Sequence, residues 1–202
     1  MKHRRLALAL LTLGIALFAR PSVQAADPVD AGWTTLFNGK DLSGWTMMNG
    51  GEFSVTNGVI HLARGTGWLR SAQQYTNFIF EAEWRALEKN YNSGLLIRAA
   101  AEGKPFPTNV WQVNLKGSAL GTLMRGSKTL VTNAAPVRPV GEWGKFRITV
   151  TGSRVSVEAD GRHLWDYDHL DAPSGFLGLQ AENKSFEFRH IRVRPLGANP
   201  VP

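Results

Sequence analysis

The sequence predicts an all-β protein built as an antiparallel β-sandwich. Apolar residues alternate with polar ones over short runs and do not recur at helical spacing over three turns. The chain holds 21 Gly and 10 Pro in 202 residues, and the pairs Asn57-Gly58 and Asp160-Gly161 lie between alternating runs, where they supply the positive φ angles of tight hairpins. Many short strands joined in this way are typical of a sandwich or jelly roll.

The first 25 residues predict a secretory signal peptide. Basic residues at the start precede an uncharged run of 13 residues, Leu6 to Phe18, and small residues precede a cleavage site after Ala25. The run is shorter than the roughly 20 residues needed to span a bilayer. We therefore expect an exported protein, periplasmic or secreted, with no stable membrane insertion after cleavage.

Net charge and composition indicate which partners and which cross-links to expect in the mature chain. Removing residues 1–25 takes away four of the 23 basic residues, which leaves 19 against 16 acidic ones and a net charge of +3. Basic residues are scattered among acids, so no nucleic-acid partner is expected. The chain has no Cys and hence no disulfide.

We predict a leader at 26–32, one domain at 33–196 and a flexible tail at 197–202.

Three strand patterns indicate a polar surface. Phe78 to Trp84 places Glu83 and Arg85 opposite an apolar face, the next strand places Arg98 opposite Leu95 and Ile97, and the third places Gln112 and Asn114 opposite Trp111 and Val113. If these strands are neighbours in one sheet, their polar side chains could hold sugar hydroxyls. The alternative is an ordinary solvated face with weak ion pairs.

Aromatic side chains that could stack on a sugar ring are sought near strand ends. Trp68 and Tyr91 lie beside Gly, Asn or Thr, where a ring can stand at the edge of a groove. Most other aromatic residues fall within apolar alternations and are expected in the core. The segments 99–108 and 127–140 are expected to be loops that form the rim of a site.

One segment is too particular to be explained by strand alternation. Leu36 to Trp45 reads LFNGKDLSGW, followed by SVTNGVIHL from Ser54, NFIFEAEWR from Asn77, NSGLLIR from Asn92, EWGKFRI from Glu142 and GFLGLQAENKSFEFRHIRVRPL from Gly175. In this order the blocks resemble the 3-keto-disaccharide hydrolase family. The resemblance implies a concanavalin/laminin-G-like sandwich and cleavage of 3-keto-glycosides, by hydrolysis or by elimination and hydration.

The resemblance also implies a site. Glu83, Arg98 and Gln180 match the family pattern, whereas Gln112 stands where the family has Glu, and Glu182 where many members have His. The hypothesis is that Glu83 or Glu182 transfers the proton. Sugar and ketone would then be held by the remaining polar residues, Arg98, Gln112, Asn114 and Gln180.

The sequence leaves open whether the protein binds a metal ion and whether it is an enzyme or a binding module. No cofactor is expected, because the His residues show no zinc-like pairing, although a divalent ion could polarise a ketone. The Asp166-Tyr167-Asp168 run could bind calcium or be a solvated loop. The alternative function is a non-catalytic carbohydrate-binding module, which the loss of a carboxylate at Gln112 favours.

Overall fold

Residues 31–132 and 134–197 are described in this computed structural model. Their strands, in chain order, are β1 Thr34–Thr35, β2 Trp45–Asn49, β3 Phe53–Thr56, β4 Val59–Leu62, β5 Thr66–Tyr75, β6 Phe78–Ala86, β7 Gly94–Ala99, β8 Trp111–Asn114, β9 Leu123–Arg125, β10 Lys128–Val131, β11 Gly144–Thr151, β12 Arg154–Ala159, β13 Arg162–Tyr167, β14 Gly175–Glu182 and β15 Phe186–Pro195. A short 3-10 helix spans Gly117–Ala119. The predicted signal peptide and most of the predicted leader and tail lie outside the described residues.

The strands form two antiparallel sheets. Sheet A has the order β13-β12-β11-β6-β15-β4-β3, with β1 beside β15, and sheet B has the order β10-β9-β8-β7-β14-β5-β2. The apolar faces of both sheets share one core, in which Trp84 stacks on Phe146 with ring centroids 6.2 Å apart. The predicted all-β sandwich is confirmed. No helix within the described residues is long and apolar enough to cross a membrane.

The sheet assignment corrects one expectation from the sequence. Strand β6 lies in sheet A, whereas β7 and β8 lie in sheet B. Glu83 and Arg85 therefore lie on the outside of sheet A and do not share a surface with Gln112 and Asn114. A period of two residues shows which side of a strand is apolar, but it does not show to which sheet the strand belongs.

The outer face of sheet A is crossed by ion pairs, and the most buried of them involve Glu81. This carboxylate is 1% exposed and accepts hydrogen bonds from Arg147 at 2.7 Å and Arg192 at 2.8 Å, with Lys145 Nζ at 2.8 Å. Burial raises the pKa of Glu81, but the hydrogen bonds from its basic neighbours outweigh burial and lower the pKa to about 2.

The Glu81 pairs should make stability depend on acid pH. A carboxylate with a lowered pKa stabilises the fold above its unfolded pKa, 4.5, and this contribution is lost as the pH falls through the folded pKa of about 2. We expect wild type to be more stable than Glu81→Gln near pH 6, and the difference to shrink towards pH 2. Urea unfolding of both proteins across this range measures it, and a constant difference would contradict the assignment.

Candidate functional site

A cleft of about 520 Å³ lies on the outer face of sheet B. Its floor is formed by side chains of β8 and β14, because alternate residues of these strands turn away from the core. Its wall comes from the segment 104–110. The polar side chains that line it are Asn92, Lys104, Thr108, Asn109, Gln112, Asn114, Lys116, Ser127, Thr129, Gln180 and Glu182.

A row of hydrogen bonds runs along the floor of this cleft. Gln112 Nε2 donates to Gln180 Oε1 at 3.1 Å, and Gln180 Nε2 donates to Glu182 Oε2 at 2.6 Å. Both glutamines are 6% exposed, and Asn114, beside Gln112, is 4% exposed. An amide donates from its nitrogen and accepts at its oxygen. These hydrogen bonds therefore fix the orientation of the Gln112 and Gln180 amide groups.

Gly94 makes this row possible. It lies opposite Asn114 in the β7–β8 register, and a Cβ at this position would be 2.4 Å from Cδ of Gln112. Any larger residue would therefore occupy the space through which Gln112 reaches Gln180. The glycine of the NSGLLIR block is explained by this close approach.

Glu182 is the carboxylate of the cleft. Burial raises its pKa above the ordinary value, and the nearby charge of Lys116 and the hydrogen bond from Gln180 only partly oppose this effect. A carboxylate with a raised pKa is a stronger base and is better matched to proton transfer near neutral pH. Of the two predicted proton-transfer residues, Glu182 is the one that lines the cleft.

The structure adds Asn92 and Lys116, which the sequence analysis missed. Both could have been found from the period of two residues. Lys116 continues the alternation of Gln112 and Asn114 beyond the end of β8, and Asn92 lies two residues before Gly94. Lys116 also brings positive charge close to Glu182.

Arg98 has a different position from the one that alternation predicted. It adopts φ 43° beside an irregularity in the β7–β14 register, and its guanidinium donates to the carbonyl oxygens of Thr76, Gly152 at 2.8 Å and Ala172 at 2.6 Å. It is 4% exposed and does not line the cleft. Arg98 therefore does not share a surface with Gln112 and Asn114, because its guanidinium group is hydrogen-bonded to backbone carbonyl groups.

The aromatic residues expected at a groove edge are buried instead. Trp68 is fully buried in a small cluster on sheet B with Leu96 and Phe176. Tyr91 packs in the main core, and its hydroxyl donates to Arg138 O at 3.0 Å. The predicted position of an edge-standing ring is wrong for both residues.

Glu83 lies in another groove, on sheet A. Its carboxylate accepts a hydrogen bond from Arg189 Nε at 2.7 Å and lies 3.0 Å from His190 Nδ1. Its side chain belongs to the opposite side of the sandwich from the cleft. Among the described residues no group of three or more His, Cys, Asp or Glu could hold a metal ion. The cleft on sheet B is lined by one carboxylate, Glu182, and several amides.

The family described as a 3-keto-α-glucoside-1,2-lyase-like domain matches residues 32–194. The chain belongs to this family. The match covers both sheets and every residue of the cleft. No match was found among curated proteins.

Solved structures share the sandwich of this lyase-like domain. A glycosyl hydrolase-like protein from Parabacteroides distasonis has a TM-score of 0.66 at 23% identity, over 82% of this chain and 94% of that one. The carbohydrate-binding module CBM66 of Bacillus subtilis has a TM-score of 0.66 at 16% identity, over 75% and 95%. A galectin-like protein of unknown function from Bacillus subtilis has a TM-score of 0.60 at 13% identity, over 74% and 88%. These similarities show a shared lectin-like fold.

Proposed function

We propose that this protein cleaves the glycosidic bond of 3-keto-glycosides in the cleft of sheet B, with Glu182 as the proton-transfer group. The observation that carries the proposal is the row from Gln112 through Gln180 to Glu182, which places one carboxylate with a raised pKa beside buried amides. Membership of a lyase-like family supports the same chemistry.

The ketone determines which bonds break. A carbonyl at C3 of the sugar acidifies the proton at C2, and the Glu182 carboxylate takes this proton. The electrons of the C2–H bond form a C1–C2 double bond while the C1–O bond breaks, and the leaving oxygen takes up a proton to become an alcohol. Water then adds across the double bond and gives the free keto-sugar.

The remaining cleft residues have binding and electrostatic roles. Asn114 and Gln112 can hold hydroxyls, because buried amides give directed donors and acceptors. Lys116 can stabilise the negative charge that develops on the ketone oxygen when C2 loses its proton. Elimination needs one base, unlike glycosidases that use two opposed carboxylates, so an amide at Gln112 is compatible with catalysis.

A second candidate is carbohydrate binding without catalysis. It is favoured by the amide at Gln112 and by the structural similarity to a carbohydrate-binding module. A binding module would retain ordinary, unoxidised oligosaccharides, whereas the enzyme would require the 3-keto group.

The test compares oxidised and ordinary sugars. The mature protein is incubated with 3-keto-trehalose and 3-keto-lactose beside trehalose and lactose, with and without a chelator, and released glucose is measured. The proposal predicts cleavage of the keto-sugars alone. Saturable binding of the parent sugars with no cleavage of any of the four would support the binding module and contradict the enzyme.

Gly94→Ala should impair the cleft without unfolding the protein. The new methyl group would displace Gln112 from Gln180, and misplacement of a positioning group by about 1 Å can cost about 100-fold in rate. We expect kcat/KM for 3-keto-trehalose to fall by about this factor.

The matched control for Gly94→Ala is Gly117→Ala. Gly117 is near the cleft, and a Cβ there would have ordinary contacts, the nearest at 3.4 Å from the Tyr91 ring. It should keep its activity. Equal activity of the two variants would show that Gln112 has no role in positioning the sugar.

A further inference from the structure

The outer face of sheet A concentrates positive charge. Its three central strands, β6, β11 and β15, project six basic and three acidic side chains, which gives a net charge of +3. The basic ones are Arg85, Lys145, Arg147, Arg189, Arg192 and Arg194, and the acidic ones are Glu81, Glu83 and Glu187. This equals the whole net charge expected of the chain after residues 1–25 are removed.

The basic side chains are held in place by aromatic rings and acids. Arg189 and Arg85 lie over the ring of Trp143, at 4.0 and 4.7 Å from its centroid, and Arg192 lies 4.3 Å from that of Trp33. Arg85 also donates to Glu187 at 2.6 Å. Because the guanidinium groups are already ordered, a ligand would lose little side-chain entropy on binding them.

A groove of about 550 Å³ crosses this face beside β15. Lys145, Arg192 and His190 line it together with the carboxylates of Glu81 and Glu83. Asn38 and Gly39 of the LFNGKDLSGW segment form its wall. His190 lies in an irregularity of β15 with φ 48°, which projects its ring into the groove beside Glu83.

The LFNGKDLSGW segment is held by hydrogen bonds within itself. Asn38 Oδ1 accepts hydrogen bonds from the backbone N–H groups of Lys40 at 2.8 Å and Asp41 at 3.0 Å, and Asp41 Oδ1 accepts one from the N–H of Ser43 at 2.9 Å. The segment with the most distinctive sequence therefore forms a fixed wall of the groove on sheet A and contributes no residue to the cleft on sheet B.

We propose that this basic face binds an acidic polysaccharide, with its carboxylate or sulfate groups on the basic side chains of β6, β11 and β15. The charge complements a polyanion, and Arg is suited to planar, bidentate contacts with carboxylate and sulfate oxygens. The groove lies on the opposite sheet from the cleft, so the polymer and a small sugar can be bound together. The proposal is independent of whether the cleft is catalytic.

The test uses columns of polygalacturonate, dextran sulfate and neutral dextran. The mature protein should be retained on both acidic polymers, eluted by salt, and should pass through neutral dextran. The double variant Lys145→Gln, Arg194→Gln should bind about thirtyfold more weakly at low salt, since each basic residue near an anionic surface contributes on the order of 1 kcal/mol.

The control is a double variant with the same net charge as the test variant but with its substitutions at different positions. Lys128→Gln, Arg162→Gln removes two positive charges from strands outside the central three and should keep wild-type retention. Equal weakening by both double variants, or retention on neutral dextran, would overturn the proposal. Retention on dextran sulfate alone would restrict the ligand to sulfated polymers. Short nucleic acid is added as a competitor, and its failure to displace the protein from either acidic polymer would support an acidic polysaccharide over nucleic acid.

Discussion

Replacing Glu182 with Gln is expected to lower kcat for 3-keto-glycosides by a factor of about 10² to 10⁴, the usual contribution of a general base. The side chain keeps its size and can still hydrogen-bond with Gln180, but it can no longer accept the C2 proton. The thermal midpoint of unfolding should change little, because Glu182 is only partly buried. Steady-state kinetics on 3-keto-trehalose measures the effect.

Glu83→Gln is the matched control for this experiment. Its carboxylate lies on the outer face of sheet A with Arg189 and His190, so we expect wild-type kcat in the folded protein.

The rate of wild type should also fall at acid pH as Glu182 becomes protonated. The fall should occur at a higher pH than an ordinary Glu would give, because burial raises the pKa of Glu182. Full activity of Glu182→Gln, or loss of activity only in Glu83→Gln, would contradict the assignment.

Replacing Arg98 with Met is expected to destabilise the fold by about 3 kcal/mol, since it removes several hydrogen bonds from a buried charged donor, each of which contributes on the order of 1.5–3 kcal/mol. The carbonyl groups of Thr76, Gly152 and Ala172 would lose the guanidinium that joins their loops. The unbranched Met side chain retains most of the apolar packing. Urea unfolding measures the free energy of unfolding.

Arg64→Met is the control for Arg98→Met. Arg64 pairs with Glu52 at 3.1 Å, but its side chain is 74% exposed, so its loss should cost less than about 1 kcal/mol. Activity per folded molecule should be unchanged in Arg98→Met. Unchanged stability together with weaker sugar binding would instead support the sugar-binding role that the sequence suggested for Arg98.

The fold could be predicted from sequence because its signals are local. Alternation in segments such as Phe78 to Trp84 specifies the buried side of a strand, and dipeptides such as Asn57-Gly58 mark hairpins. The order of strands depends on long-range pairing, which alternation does not encode. That is why Glu83, on a strand with a clear apolar face, was expected beside Gln112 although the two lie on opposite sheets.

The candidate site was predicted only in part, because alternation is a local pattern and does not encode long-range contacts. Gln180 and Glu182 were found through the family resemblance, and Gln112 and Asn114 were found because regular alternation holds along β8. Alternation fails at Arg98, where a positive φ angle turns the side chain away from the cleft.

The aromatic predictions failed through packing. Trp68 was interpreted as a groove-edge ring because Gly and Thr lie beside it in the sequence. A Cβ at Gly178 of the paired strand β14 would be 2.5 Å from the Trp68 ring. The absence of that Cβ lets the indole lie against the sheet, and no local sequence pattern reports this contact.

The most direct test of the proposed chemistry is to follow the C2 proton. Wild type and Glu182→Gln are incubated with 3-keto-trehalose in D2O, and deuterium at C2 of the released keto-sugar is measured against an enzyme-free sample. Wild type is expected to release keto-sugar with one deuterium at C2 per turnover, and Glu182→Gln is expected to release almost no keto-sugar. Cleavage by wild type without deuterium at C2 would contradict elimination with Glu182 as the base.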